Sequence, residues 1–237
     1  LTLRADTAPP SELKHGTAVV AMLIGAPGSR VPGLVPEARV VAADPFTLVR
    51  GDERTDAFGL IEAMDALADA GVHVMNLSLA GPDNKVLAAR VSAIVGAGTT
   101  LVAAVGNAGP RAAPLYPAAY GGVIGVTAVD ARGQTYRRAL QGPQVDFAAP
   151  GVSVSTAASI SGVRPQTGTS FATPFVTAAV AMILASEPGL SPAEVEVRLA
   201  KSVKDLGDDG RDPTFGHGLL QAVGECVAPD LVLDEAG

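Results

Sequence analysis

Residues 168–174 read Gly-Thr-Ser-Phe-Ala-Thr-Pro, and from 171 to 185 every residue is apolar, threonine or proline. Such a run predicts a helix buried on all sides, opened by Ser170, capped by Thr169 or Ser170, with Pro174 in its first turn. A hydroxyl there lies beside free backbone N–H groups and the positive end of the helix dipole, which stabilise an oxyanion on a substrate. Ser170 is therefore either a helix cap or a nucleophile.

A histidine opens a second apolar run. His15 begins a His-Gly-Thr motif, and residues 18–24 after it are all apolar. A serine hydroxyl needs a base with a pKa near the working pH, and imidazole supplies one. The chain has three histidines, of which His73 is predicted to cap a helix end or face sideways from a strand, and His217 to lie in a turn. His15 is therefore the candidate general base.

An asparagine follows a third motif. The apolar run 101–105 predicts a buried strand that continues into Gly106 and Asn107. Ligands of an open parallel α/β sheet gather outside the carboxyl ends of its strands, so the Asn107 amide could donate a hydrogen bond to a developing oxyanion. Asparagine before a glycine or proline also commonly makes a turn and nothing more.

Together with four further motifs, in this order along the chain, these three resemble the subtilisin-like serine proteases. The further motifs are Ser-Leu-Ala-Gly at 78–81, Tyr-Pro at 116–117, Ala-Pro-Gly at 149–151 and Phe-Gly-His-Gly-Leu at 215–219. The resemblance covers about residues 15 to 223. It implies a three-layer subtilisin-like α/β fold, with a mostly parallel sheet between helices. It also implies a serine endopeptidase with Ser170 as nucleophile, His15 as general base and acid, and Asn107 as oxyanion donor beside the Ser170 N–H.

The resemblance further implies where a peptide binds. Segment 78–81 corresponds to the extended chain that lines the pockets for the side chain before the scissile bond and for the one three residues upstream. Backbone pairing of this kind recognises the extended shape of a peptide rather than its sequence, so broad protein or peptide substrates are expected. Ala80 and Leu115 stand where the family often has glycine, which predicts a shallow primary pocket for small or medium apolar side chains. The predicted substrate-binding residues are Ser78, Leu79, Ala80, Gly81, Gly106 and Leu115.

The chain departs from the family pattern at the acid of the catalytic triad. The family's aspartate ends an apolar strand well upstream of the histidine, whereas only fourteen residues precede His15. Asp6 is a weak candidate, because the run before it is short and polar and Ala8 replaces the usual glycine. We expect the aspartate upstream of Leu1, with residues 1–14 as the remnant of that region. The alternatives are a site that lacks the acid, a degenerate relative that only binds peptides, and a nicked enzyme completed by a separate N-terminal peptide.

Composition fits one α/β domain spanning residues 1–237, with a loose acidic tail from about 226. With 48% hydrophobic but only 4% aromatic residues, the core is built from Ala, Val, Leu and Ile. A net charge of −7 argues against nucleic acid or an anionic membrane as partner. The single cysteine, Cys226, excludes an internal disulfide framework. We recognise no signal peptide or membrane span, so a secreted or cell-envelope location, like a propeptide partner, is expected from the family alone.

The sequence predicts no cofactor. Calcium is a common structural ligand in the family, but loop 25–30 (Gly-Ala-Pro-Gly-Ser-Arg) offers few oxygen ligands and carries a positive charge. The usual calcium site is therefore predicted to be absent. The acidic cluster at 208–212 could bind a hard cation, although a solvated turn is the favoured interpretation.

The remaining pattern alternates strand and helix, which predicts a parallel sheet covered on both faces. A nucleotide-binding Rossmann domain shows the same alternation, but the glycines at 96 and 98 precede a strand and lack the third glycine of its fingerprint. A sedolisin-type relative also ends in Gly-Thr-Ser, and the His-Gly-Thr motif argues against it. The predicted strands are 38–43, 72–79, 99–105 and 123–129, and the predicted helices are 55–70 with Thr55 as cap, 85–96, and 191 to about 203.

Overall fold

The structure, a computed structural model, describes residues 11–157 and 162–221. Its helices are α1 (Lys14–Ile24), α2 (Ala57–Asp69), α3 (Lys85–Gly96), α4 (Thr169–Ser186) and α5 (Pro192–Ala200). Its strands are β1 (Thr47–Val49), β2 (Asp52–Arg54), β3 (Val74–Leu77), β4 (Thr100–Ala104), β5 (Val123–Val129), β6 (Phe147–Pro150), β7 (Val154–Ala157), β8 (Val163–Gln166), β9 (Val203–Lys204) and β10 (Leu219–Leu220). The predictions for Asp6 and for the acidic tail lie outside the described residues.

A central sheet organises the described part of the chain. Its strand order is β3-β4-β5-β6-β10-β9, and neighbouring strands are parallel except β10 with β9. Two antiparallel hairpins, β1–β2 and β7–β8, lie outside this sheet. Because β3, β4, β5 and β6 are parallel, the loops that follow them meet at one edge of the sheet, where the candidate site lies.

Successive residues of β4 face opposite layers, as strand geometry requires. Leu101 and Ala103 pack in a cluster with apolar residues of α2 and α3. Val102 packs on the other face with residues of α4 and α5. The whole strand is buried, which explains its continuous apolar run. The predicted arrangement, a mostly parallel sheet with helices on both faces, is confirmed.

Helix α4 crosses the middle of its layer and contacts β3, β4, β5 and β6. It begins at Thr169 with Gly168 as N-cap, so the predicted cap at Thr169 or Ser170 is wrong. Pro174 is inside the helix rather than in its first turn. Its missing N–H leaves the Ser170 carbonyl without the usual helical bond. By length and composition α4 could cross a membrane, but most of it is buried in this core, and Met182 near its end is exposed.

Three other local predictions need correction. Asp56, not Thr55, caps α2, because its carboxylate accepts a hydrogen bond from the Gly59 N–H at 2.8 Å. Ser191 caps α5 as predicted, but the helix ends at Ala200 instead of about 203, and the chain turns into β9. Residues 38–43 form no strand, since no strand among the described residues pairs with them and an extended segment needs a neighbour for its backbone bonds.

An ion pair links the loop before β10, which carries Arg211, to Asp146 beside the central sheet. Arg211 Nη2 donates to Asp146 Oδ1 at 2.7 Å, and the Gly125 N–H donates to Asp146 Oδ2 at 2.7 Å. Arg211 also donates to the carbonyls of Pro143 and Val145 at 2.8 and 3.2 Å. Burial raises the pKa of Asp146, and the bonds from Gly125 and Arg211 oppose that rise. The pair therefore satisfies a carboxylate that would be costly to bury alone.

Candidate active site

Ser170 lies in the first turn of α4, half-buried, at the edge where β3 and β4 end. Ser78 directly follows β3, and its Oγ donates to the Ser170 carbonyl oxygen at 2.8 Å. Asn107 lies just after β4, and its Oδ1 accepts a hydrogen bond from the Thr169 N–H at 3.0 Å. The ends of two neighbouring strands thus hold the backbone on both sides of Ser170. This is the edge at which an α/β sheet forms its ligand sites.

The Asn107 side chain is anchored by its oxygen. Oδ1 accepts from both the backbone N–H and the hydroxyl of Thr169, at 3.0 and 3.2 Å. The Thr169 hydroxyl in turn accepts from the Gly106 N–H at 3.2 Å. Asn107 Nδ2 has no hydrogen bond to any part of the chain that the structure describes, and it would lie 3.3 Å from a Cβ placed on Gly168. The amide group therefore has a fixed orientation and an available donor.

His15 lies in the first turn of α1 and packs against the residue after Ser170. Its ring and the Phe171 ring have centroids 5.4 Å apart, with an interplanar angle of 56°. Burial lowers the pKa of His15, and the nearby Glu53 carboxylate partly opposes that shift. Glu53 is on β2, and its Oε1 accepts from the Glu12 N–H at 2.6 Å. A neutral imidazole at neutral pH is the form that a general base requires.

A shared apolar cluster holds the histidine helix against the serine helix. Ala18, Val19 and Met22 of α1 pack with Phe171 of α4. The hairpin β7–β8 adds a polar tie, because the buried Thr156 hydroxyl donates to the Ala18 carbonyl at 2.6 Å. Helix α1 is therefore held by packing against α4 and by a hydrogen bond to β7, rather than by chain proximity.

The predicted substrate residues lie close to one another and to the start of α4. A Cβ placed on Gly106 would lie 2.7 Å from Leu115 Cδ1 and 3.5 Å from Ala80 Cβ, so both side chains face Gly106. Gly106 also has φ +101°, a conformation that favours glycine. Backbone bonds of 2.8 and 2.9 Å join Gly81 to Tyr116 in an antiparallel bridge. Leu79 packs, half-buried, against the cluster beneath α2 and α3, as Leu115 does.

Sequence reasoning missed two polar residues behind the site. The Thr177 hydroxyl donates to Asn76 Oδ1 at 2.9 Å, and Asn76 Nδ2 donates to Ser78 Oγ at 2.9 Å. Asn76 interrupts the otherwise apolar strand β3, and Thr177 lies in a mostly apolar stretch of α4. A polar side chain at an apolar position indicates a buried hydrogen bond, and this signal could have found both residues. Glu53, in a short exposed hairpin strand, carries no such signal.

In the acidic cluster at 208–212, one carboxylate is engaged by backbone hydrogen bonds. The Asp212 carboxylate accepts from the N–H groups of Asp208, Thr214 and Phe215 at 3.2, 2.6 and 2.7 Å. In loop 25–30, the Ser29 hydroxyl donates to the Val31 carbonyl at 2.8 Å. Over residues 11–157 and 162–221, no group of three or more His, Cys, Asp or Glu side chains is placed to hold a metal ion.

Comparison with known proteins identifies the family. The sequence model of the Subtilase family (Peptidase S8) matches residues 4–218. The chain belongs to the subtilase family. It is 32% identical over 210 residues to the minor extracellular protease Epr of Bacillus subtilis (strain 168), covering 87% of this chain and 32% of that protein. It is 30% identical over 210 residues to subtilisin BL of Lederbergia lenta, covering 88% and 76%.

Solved structures agree with this subtilase fold. A mutant form of the protease domain of PatA matches with a TM-score of 0.80 at 27% identity, over 93% of this chain and 83% of that one. The prenylagaramide maturation protease PagA matches with a TM-score of 0.78 at 25% identity, over 88% and 79%. The predicted subtilisin-like fold is therefore confirmed, and the relatives are serine proteases. This subtilase spans 32% to 59% of the length of the first three curated relatives.

Proposed function

We propose that this subtilase is a serine endopeptidase that hydrolyses peptide bonds through an acyl-enzyme on Ser170. The anchored amide of Asn107 carries the proposal. Its oxygen is engaged by Thr169 at 3.0 and 3.2 Å, so Nδ2 is left as a donor next to the helix start that bears the serine. Capping the helix uses only the amide oxygen, whereas an oxyanion needs a preorganised donor such as Nδ2.

The proposed reaction uses the same three residues in acylation and in deacylation. His15 takes the proton of the Ser170 hydroxyl as Oγ bonds to the substrate carbonyl carbon, and the carbonyl oxygen becomes an oxyanion. Asn107 Nδ2 and the Ser170 N–H donate to that oxyanion. The amine then leaves with the proton from His15, and water repeats the sequence to release the acyl group. Loss of one such asparagine donor in subtilisin lowers the rate about 10²- to 10³-fold, and we expect a similar loss for Asn107→Ala.

The proposed triad also needs an acid that orients His15. Within residues 11–157 and 162–221, no carboxylate makes a hydrogen bond or ion pair with His15. Asp6 lies outside the described residues, and the expectation from the family pattern is still that sequence upstream of Leu1, in the same chain or in a separate N-terminal fragment, supplies the acid. The same observation favours a second candidate, a catalytically impaired subtilase that binds peptides or regulates.

The expected substrates are proteins or peptides with a small or medium apolar side chain before the scissile bond. Leu115 Cδ1 and Ala80 Cβ both occupy the space above Gly106, which supports a shallow primary pocket. Epr is an extracellular protease, and by that likeness we expect this subtilase to be secreted or held in the cell envelope. A propeptide partner and the lack of a bound cofactor remain expectations from the sequence.

Labelling with a fluorophosphonate, which reacts with activated serines, tests the proposal on the full-length gene product. We expect rapid labelling of the wild type and loss of labelling in His15→Ala. The matched control is His73→Ala, which alters an exposed histidine at the amino end of β3 and should label normally. Equal labelling of wild type and His15→Ala would refute the base assignment. A wild type that binds peptides without labelling would favour the impaired relative.

A further inference from the structure

We propose that Thr177 is a positioning residue for Ser170, because its hydroxyl anchors the far end of a chain of hydrogen bonds that ends on the Ser170 carbonyl. This inference rests on the proposed role of Ser170 as the nucleophile. Thr177 is two helical turns beyond Ser170 on α4 and is buried, so it acts through other residues and never meets substrate.

The chain of bonds runs from the middle of α4 through β3 and back to the start of α4. The Thr177 hydroxyl donates to Asn76 Oδ1 at 2.9 Å, and Asn76 Nδ2 donates to Ser78 Oγ at 2.9 Å. Ser78 Oγ then donates to the Ser170 carbonyl at 2.8 Å. All three distances are those of well-formed hydrogen bonds.

Only one orientation of the Asn76 amide satisfies the whole chain. A carbonyl oxygen only accepts, so the single Ser78 proton must go to Ser170, and Ser78 Oγ must accept from Asn76 Nδ2. The Asn76 oxygen then faces Thr177, whose hydroxyl supplies the proton. If the amide were flipped, Ser78 would need two protons to satisfy both neighbours. Thr177 therefore anchors the Asn76 amide in this orientation by donating to its oxygen, and Nδ2 stays directed at Ser78.

Pro174 makes the Ser170 carbonyl available to this chain. In an ordinary helix, the N–H of residue 174 would occupy that carbonyl, and proline has none. The peptide after Ser170 is thus held by Ser78, and the backbone N–H of the preceding residue, Thr169, is held by Asn107 at 3.0 Å. With the backbone held on both sides of Ser170, its hydroxyl and N–H keep the orientation that attack and oxyanion binding need.

The test compares Thr177→Val and Thr177→Ser in the full-length protein. Valine keeps the shape but removes the donor, and serine restores the donor. We expect Thr177→Val to lower the labelling rate and kcat about 5- to 10-fold with KM unchanged, the effect of losing about one neutral hydrogen bond, and Thr177→Ser to return within about twofold of wild type. The control is Thr100→Val, which removes a buried hydroxyl that has no partner among the described residues and should leave kcat unchanged.

Two outcomes would overturn the positioning role in an active enzyme: an unchanged kcat in Thr177→Val, or equal losses in the valine and serine variants, which would indicate packing. If the wild type fails to label, the proposed function has failed. Thermal unfolding then still tests whether the chain of hydrogen bonds exists. The melting temperatures of Thr177→Val, Ser78→Ala and the double variant should be non-additive, because both residues bond to Asn76. Additive shifts would refute the chain.

Discussion

Replacement of Leu115 by alanine should change which substrate side chain this subtilase prefers. The Leu115 δ-methyl lies 2.7 Å from the position of a Cβ on Gly106, so it fills the floor of the proposed primary pocket. Leu115→Ala removes three carbon atoms, each worth about 0.8 kcal/mol of apolar contact when a substrate occupies the space. A total of about 2.4 kcal/mol corresponds to about a 50-fold gain for a large apolar side chain over alanine.

The assay is the ratio of kcat/KM for two peptides that differ only in phenylalanine or alanine before the scissile bond. A ratio cancels any general loss of activity caused by lower stability. Val86→Ala, at an exposed site on α3, is the control and should keep the wild-type ratio. An unchanged ratio in Leu115→Ala would refute the placement of Leu115 in the pocket, and a wild type that already prefers phenylalanine strongly would refute the shallow pocket.

Three further predictions follow from the contacts of α1 and of the sheet. Burial lowers the pKa of His15 and the Glu53 carboxylate opposes that shift, so Glu53→Gln should move the limb on which kcat/KM rises with pH to lower pH in a pH–rate profile. Thr156→Val removes a buried donor to α1, so it should cost about 1 kcal/mol of unfolding free energy and lower kcat, and Thr156→Ser should restore both. If both variants are stable and both lose kcat, this hydrogen bond does not hold α1 in place. Arg211→Met leaves Asp146 buried without its ion pair and should cost about 2 kcal/mol in urea unfolding, less than a fully buried pair because Arg211 is 41% exposed; no loss would show that the pair is not stabilising.

Elements bounded by clear local signals could be predicted from the sequence almost to the residue. Strand β5 and helix α3 have the predicted limits, 123–129 and 85–96. The motifs around Ser170 and Asn107 predicted two residues that the structure brings together through Thr169 at 3.0 Å. The limits of β5 and α3 could be predicted because burial and turn residues leave a periodic pattern in the local sequence.

Features that depend on distant partners could not be predicted in this way. Residues 38–43 have a strand-like composition, but a strand also requires a neighbour that local periodicity does not report. The bond between Thr177 and Asn76 joins residues 101 positions apart. Glu53 approaches His15 only because the hairpin β1–β2 folds against the start of α1 through Glu12. Composition and spacing describe only a residue's neighbours in sequence, whereas these contacts join residues that are far apart in sequence.

Trapping the acyl-enzyme tests the central claim most directly. The full-length protein is mixed with an activated ester of a small apolar amino acid, quenched in acid during turnover, digested and mapped by mass spectrometry. The acyl group should be found on Ser170 in the wild type and should be absent from Asn107→Ala or much reduced there. An acyl group on another residue, or hydrolysis without any acylated Ser170, would contradict the assignment of Ser170 as the nucleophile.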